Sequence, residues 1–147
     1  MVTRNFYEES ANIFYPRVDF AGEKTGITGM EFPLLNYVDY WVSELFGYQH
    51  WYGRLINLIV SSLGIWFFFR ILKRYFSKET AFNASIILLS SIWFAYSRKI
   101  MPDTFAVSLV LMGFFYACKY FEEDQKKGLN LTLYALLTLL GVLAKLP

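Results

Sequence analysis

The sequence predicts an all-α membrane protein: about four transmembrane helices, preceded by an extracytoplasmic loop that carries two interfacial amphipathic helices. Three observations lead there. Hydrophobic residues make up 56% of the 147 and charged residues only 18%, below the quarter usual in soluble domains. The charges leave four long uncharged runs, Leu55–Phe69, Ala81–Ser97, Thr104–Cys118 and Gly128–Ala144, each of 15 to 17 residues. Those runs fall slightly short of the roughly 20 residues that span hydrocarbon, and flanking Trp, Tyr, Lys and Arg extend them by sitting at the interface. Finally, seven basic residues (Arg70, Lys73, Arg74, Lys78, Lys119, Lys126, Lys127) fall in two loops, against two (Arg98 and Lys99) in the opposing hairpin. By the positive-inside rule the richer loops are cytoplasmic.

In order, Thr3–Tyr15 carries Phe6, Tyr7, Ala11, Ile13 and Phe14 at roughly helical spacing, which predicts a short surface helix ended by Pro16. The loop Arg17–Phe32 follows, with Gly22, Gly26 and Gly29 as turn points. Pro33 opens a second helix ending at Gly47. Its apolar face is Leu34, Leu35, Val38, Trp41, Val42, Leu45 and Phe46, and its other side holds Asn36, Asp39, Ser43 and Glu44. That helix is too polar to span and is expected in the interface plane. Residues 1–49 therefore form the loop region and 50–147 the transmembrane region, with spans near Trp51–Phe69, Ala81–Tyr96, Thr104–Phe121 and Leu129–Ala144.

Composition and motifs exclude several functions. The formal charge of +2 gives no nucleic-acid partner, and the single Cys118 supplies neither a disulfide nor a cysteine metal site. Cys118 is expected to pack in its apolar run. No P-loop, catalytic triad or metal-spaced Cys/His set is present, so an enzyme here would draw an activated donor from the membrane.

The topology gathers Asp19, Glu31, Arg98, Lys99, Asp103 and Lys145 on the extracytoplasmic side, where unpaired ionisable groups are costly unless solvated or used. Glu31 reads either as a ligand for a divalent metal ion or as a carboxylate at the positive end of the following helix. Asp19 reads as a metal ligand or as an ion-pair partner of Arg17, and Asp103 as an N-terminal cap. Arg98 and Lys99 suit a phosphate or lipid headgroups. His50, beside Trp51 and Tyr52, reads as interfacial.

The ordered set RNFYE, YPRVD, GMEFPLLNY, GRLINLI, YSRKIMPDT and AKLP resembles bacterial members of the GT-C glycosyltransferases. The nearest branch holds the protein O-mannosyltransferases and the lipid A aminoarabinose transferase. The resemblance implies an enzyme of the bacterial inner membrane. It would move a sugar from a polyprenyl-phosphate donor to an extracytoplasmic acceptor, with membrane lipids as its surroundings. Glu31 matches the Glu-x-Pro acid linked to a bound divalent metal, and Asp103 the acid that opens a helix near the active site. Lys145 matches the Lys-Gly-Pro lysine that approaches the carrier phosphate, although Leu146 replaces the glycine. Asp103 and Asp19 are thus the expected catalytic acids, and Arg98, Lys99, Lys145 and Arg17 the expected phosphate contacts. The family's first helix and its acidic motif would precede Arg4, and its later spanning helices and soluble C-terminal region would follow, so the chain is expected to be the front part of a longer enzyme and inactive alone. A non-enzymatic polytopic protein, with the polar loop as a docking surface, is the rival reading.

Overall fold

A computed structural model describes residues 2–19, 25–27, 31–122 and 125–145. Gly22, Gly29 and Leu146, named above, lie outside them. The described residues are helical, with no strand beyond an isolated antiparallel bridge between Arg17 and Ile27. Among the described residues seven α-helices follow one another: α1 (Val2–Glu8), α2 (Leu34–Phe46), α3 (Tyr52–Tyr75), α4 (Lys78–Leu89), α5 (Ile92–Ala95), α6 (Pro102–Glu122) and α7 (Lys127–Leu143). A single 3-10 turn, Tyr96–Arg98, joins α5 to the hairpin before α6. α3 packs against α2, α4 and α6, and α6 packs in turn against α7.

Among the described residues two helices, α3 and α6, are long and apolar enough to cross a membrane. The expected second span is instead broken: α4 and the segment Ile92–Arg98 meet at 53°. The cause is the Ser90-Ser91 pair, a recognised kink point. Ser91 Oγ donates to the Leu88 carbonyl at 2.6 Å and accepts from the Phe94 amide at 3.3 Å, closing one helix and starting the next. α7, at 17 residues, is a shorter apolar helix.

α1 stops at Glu8, well before Pro16. The Asn12 side chain accepts from the Phe14 amide at 3.0 Å, a local turn that competes with helix. In the loop beyond, the Val18 amide bonds the Gly26 carbonyl at 3.0 Å. Asn5 Nδ2 donates to the Arg17 carbonyl at 3.0 Å and ties this loop to α1.

Packing is inverted relative to a water-soluble protein. The bulkiest fully buried side chains are Asn57, Thr104, Ser43, Ser61, Ser97 and Ser108. Trp41, Leu45, Phe46, Ile87 and Phe121 are exposed instead. Between membrane helices, small and polar residues let backbones approach and bond, and lipid solvates the large apolar ones. The same inversion governs α2: Leu35, Asp39 and Ser43 form its buried stripe, while much of its apolar face points outward. Cys118 is buried, as its run predicts.

Asn57 joins the layers. Its Nδ2 donates to the Lys99 carbonyl at 2.7 Å and to Thr104 Oγ1 at 2.9 Å, and lies 3.3 Å from the Met101 carbonyl. One side chain of α3 therefore fixes the hairpin that starts α6. Replacing it by leucine (N57L) keeps the branched shape but strands those acceptors, each buried loss costing about 1–3 kcal/mol. Thermal unfolding in detergent is expected to show a clear drop in midpoint; an unchanged midpoint would mean that Asn57 does not organise the hairpin.

Candidate functional site

The site begins where α7 ends. The Lys145 amide bonds the Val142 carbonyl at 3.1 Å, which continues the helix by a turn and sends the side chain across to α6. Lys145 Nζ donates to Glu31 Oε1 at 2.5 Å and lies 3.1 Å from Asp103 Oδ1. Residues 114 positions apart thus meet at one end of the bundle. The opposite end is marked by ion pairing of Arg74 with Glu122, which joins the last turns of α3 and α6.

Close helix approach makes this reach possible. A Cβ on Gly141 would stand 2.8 Å from the Ala106 carbonyl oxygen, so only glycine lets α7 come so near α6. The two carboxylates, Glu31 first, push the Lys145 pKa up and hold it as ammonium. All three side chains remain partly exposed, so the cluster contributes more to local charge than to stability.

Neither acid caps a helix. Pro33 stands at the N-cap of α2 with no side-chain cap bond, and Glu31 turns to Lys145. Asp103 lies inside the first turn of α6 rather than before it, and also faces Lys145. Among the described residues no three His, Cys, Asp or Glu side chains converge as a metal cage. Glu31 and Asp103 instead share one cationic neighbour. A pair of carboxylates fits a hard divalent ion that completes its shell with water and substrate phosphate.

An apolar groove of about 360 Å³ runs between α6 and α7. Val107, Val110, Leu111 and Val142 line it, and among the described residues Lys145 is the one charged residue on its wall. On another side of Glu31 lies a cavity of about 530 Å³, whose lining includes Asp39, Asn36, Tyr48, His50 and Arg54. Asp39 and Arg54 escaped the sequence reading. Asp39 looked like one of several polar residues on an amphipathic helix, and Arg54 like a flank of the first span. The Tyr48 hydroxyl lies 3.3 Å from His50 Nδ1, so His50 belongs to the cavity rim.

The remaining expected residues sit apart. Asp19 accepts from Arg4 at 2.7 Å and Arg17 donates to Glu9 at 3.1 Å, a network that secures the loop to α1. Arg98 and Lys99 are exposed around the 3-10 turn, with Lys99 Nζ 5.3 Å from the centre of the Tyr96 ring. Among the described residues neither is ion-paired with the Lys145 cluster.

Residues 31–147 match the family model described as dolichyl-phosphate-mannose-protein mannosyltransferase. The match begins at Glu31 and takes in Asp103 and Lys145. No curated protein and no solved structure matches the chain.

Burial pushes the Asp39 pKa above the ordinary carboxylate value, offset in part by the Thr3 hydroxyl. The folded state then holds this proton more tightly than the unfolded chain does. Its contribution is most favourable at or below the unfolded pKa, about 4, and declines as pH rises through the folded value. The unfolding midpoint of the wild type relative to Asp39→Asn is therefore expected to fall as pH rises from about 4 to neutrality. A relative midpoint that rises over that window would contradict the burial of this carboxyl.

Proposed function

We infer that this chain, which belongs to the dolichyl-phosphate-mannose-protein mannosyltransferase family, binds the phosphate end of a lipid-linked sugar in a GT-C membrane glycosyltransferase. The observation that carries this reading is a single ammonium, Lys145, held by two carboxylates at the end of an apolar groove. A polyprenyl phosphate has that same division: a long apolar chain with an anion at one end. The groove offers van der Waals contact to the first isoprene units, and Lys145 offers charge-assisted hydrogen bonds to the phosphate. The asymmetry of basic residues puts this end of the bundle on the extracytoplasmic side.

Transfer forms a bond between an acceptor hydroxyl oxygen and the anomeric carbon, and breaks the bond from that carbon to the phosphate oxygen. The electron pair of the broken bond leaves with the polyprenyl phosphate, whose charge grows as it departs. Lys145 sits where that charge develops, and stabilisation of developing charge by a preorganised donor lowers the barrier. Glu31 and Asp103 hold the ammonium in place before substrate arrives. Asp103, the more exposed of the two acids, is the carboxylate we assign to receive the acceptor proton. Glu31 would also help to hold a divalent ion, which when bound supplies further neutralisation of the phosphate. Arg98 and Lys99 are assigned to lipid headgroups and Arg17 and Asp19 to the support of α1.

Mannose transfer from a polyprenyl-phosphate mannose, followed with radiolabelled donor in reconstituted membranes, tests the assignment. Lys145→Ala and Glu31→Gln are each expected to lower turnover by about 100-fold or more, the scale seen when one donor to a developing oxyanion is removed. Near-normal turnover in both variants would sink it.

A further inference from the structure

We propose that a small cavity in the hairpin between α5 and α6 binds the primary ammonium of a phospholipid headgroup, with Asp103 as its anion and Trp93 and Tyr96 as its aromatic walls. The cavity measures about 210 Å³ and is lined by Trp93, Tyr96, Met101, Asp103 and Thr104. It shares no lining residue with the groove between α6 and α7 or with the cavity beside Glu31. Asn57 fixes two of its residues in place: the Asn57 Nδ2 lies 3.3 Å from the Met101 carbonyl and donates to Thr104 Oγ1 at 2.9 Å. Its volume is below that of drug-sized sites, about 300–1,000 Å³, and suits a short headgroup.

The walls suit an ammonium. Aromatic faces attract cations, and the Tyr96 ring already does so, with Lys99 Nζ 5.3 Å from its centre. The Asp103 side chain is 52% exposed, and Lys145 approaches one of its oxygens, Oδ1, at 3.1 Å, so the other can accept a second donor. Charge around the cavity is divided. Two carboxylates and one ammonium, Glu31, Asp103 and Lys145, leave one net negative charge on the Asp103 side. Arg98 and Lys99, both exposed, put two positive charges beside Tyr96. A lone cation would face that repulsion unaided, whereas a zwitterionic headgroup brings its own phosphate to the basic pair. Trp and Tyr are residues of the membrane boundary. Ile92, next to Trp93 in the chain, is 76% exposed and offers the apolar surface that acyl chains solvate. Ethanolamine fits better than choline, because its N–H groups can donate to the carboxylate and a trimethylammonium has none.

The phosphate end of this site rests on the assignment of Arg98 and Lys99 to headgroups made above; the ammonium end does not. The test uses the purified full chain in detergent, offered equal amounts of dioleoyl phosphatidylethanolamine and dioleoyl phosphatidylcholine. Retained lipid is counted by native mass spectrometry. Asp103→Asn keeps the shape of the side chain and removes its charge, Tyr96→Leu removes a ring, and Lys99→Gln removes a cation. The thermal unfolding midpoint of each variant reports whether it is folded.

The wild type is expected to retain the ethanolamine lipid over the choline lipid by about tenfold, the low end for a charge-assisted hydrogen bond. In Asp103→Asn and Tyr96→Leu that ratio is expected to fall to about one. Lys99→Gln is expected to lower retention of both lipids together and leave the ratio in place. Equal retention by the wild type, or a preference for choline, overturns the proposal. So does an ethanolamine preference kept by Asp103→Asn or by folded Tyr96→Leu protein; if Tyr96→Leu does not fold, Asp103→Asn decides. Unchanged retention of both lipids in Lys99→Gln counts against the headgroup assignment of Lys99 alone, since the lipid ratio still decides the ammonium site.

Discussion

Asn57 is the side chain on which the arrangement of this end of the molecule depends. Fully buried in the second turn of α3, it bonds the backbone at Lys99 and the hydroxyl of Thr104. A hydrophobic core does not fix helices against one another in lipid, because tails outside are as apolar as leucines inside. Orientation has to come from close backbone contact and polar bonds. Asn57 supplies the second and sets where α6 begins, which places Asp103 one residue after Pro102 at the end of the bundle.

Close contact completes the arrangement. Gly141 brings α7 against α6 at the level of Ala106, and the turn after α7 carries Lys145 over Asp103 and Glu31. A larger residue at 141 would separate the helices, widen the groove between them and withdraw the ammonium from both acids. Groove and charge are thus two results of one helix contact. Glu31 joins that cluster to the second cavity, whose wall it also lines.

Much of this is legible in the chain before any coordinates. Uncharged runs and basic loops give the helices and the shared face of Glu31, Asp103 and Lys145, and motif order singles out the same three. What escapes is direction. The periodicity of α2 shows two faces, but in a membrane protein the polar face turns inward, so Asp39 is buried while Trp41 and Leu45 are exposed. Ser90-Ser91 interrupts a run that hydropathy reads as continuous. The count of basic residues assigns Arg98 and Lys99 to the same face as Lys145, yet the 3-10 turn directs neither into the Lys145 cluster, an outcome set by local geometry rather than composition. Asp19 pairs with Arg4 of α1, and Arg17 with Glu9 just past its end, through contacts that no spacing rule reveals.

The central claim is that a polyprenyl phosphate lies in the groove between α6 and α7 with its phosphate at Lys145. A polyprenyl phosphate carrying a photoreactive diazirine on its first isoprene unit tests this directly, with labelled peptides mapped by mass spectrometry. Labelling concentrated at Val107, Val110 and Val142, and lost when unmodified polyprenyl phosphate competes, is the expected result. Competed labelling confined to other helices, with α6 and α7 unmarked, would contradict the account.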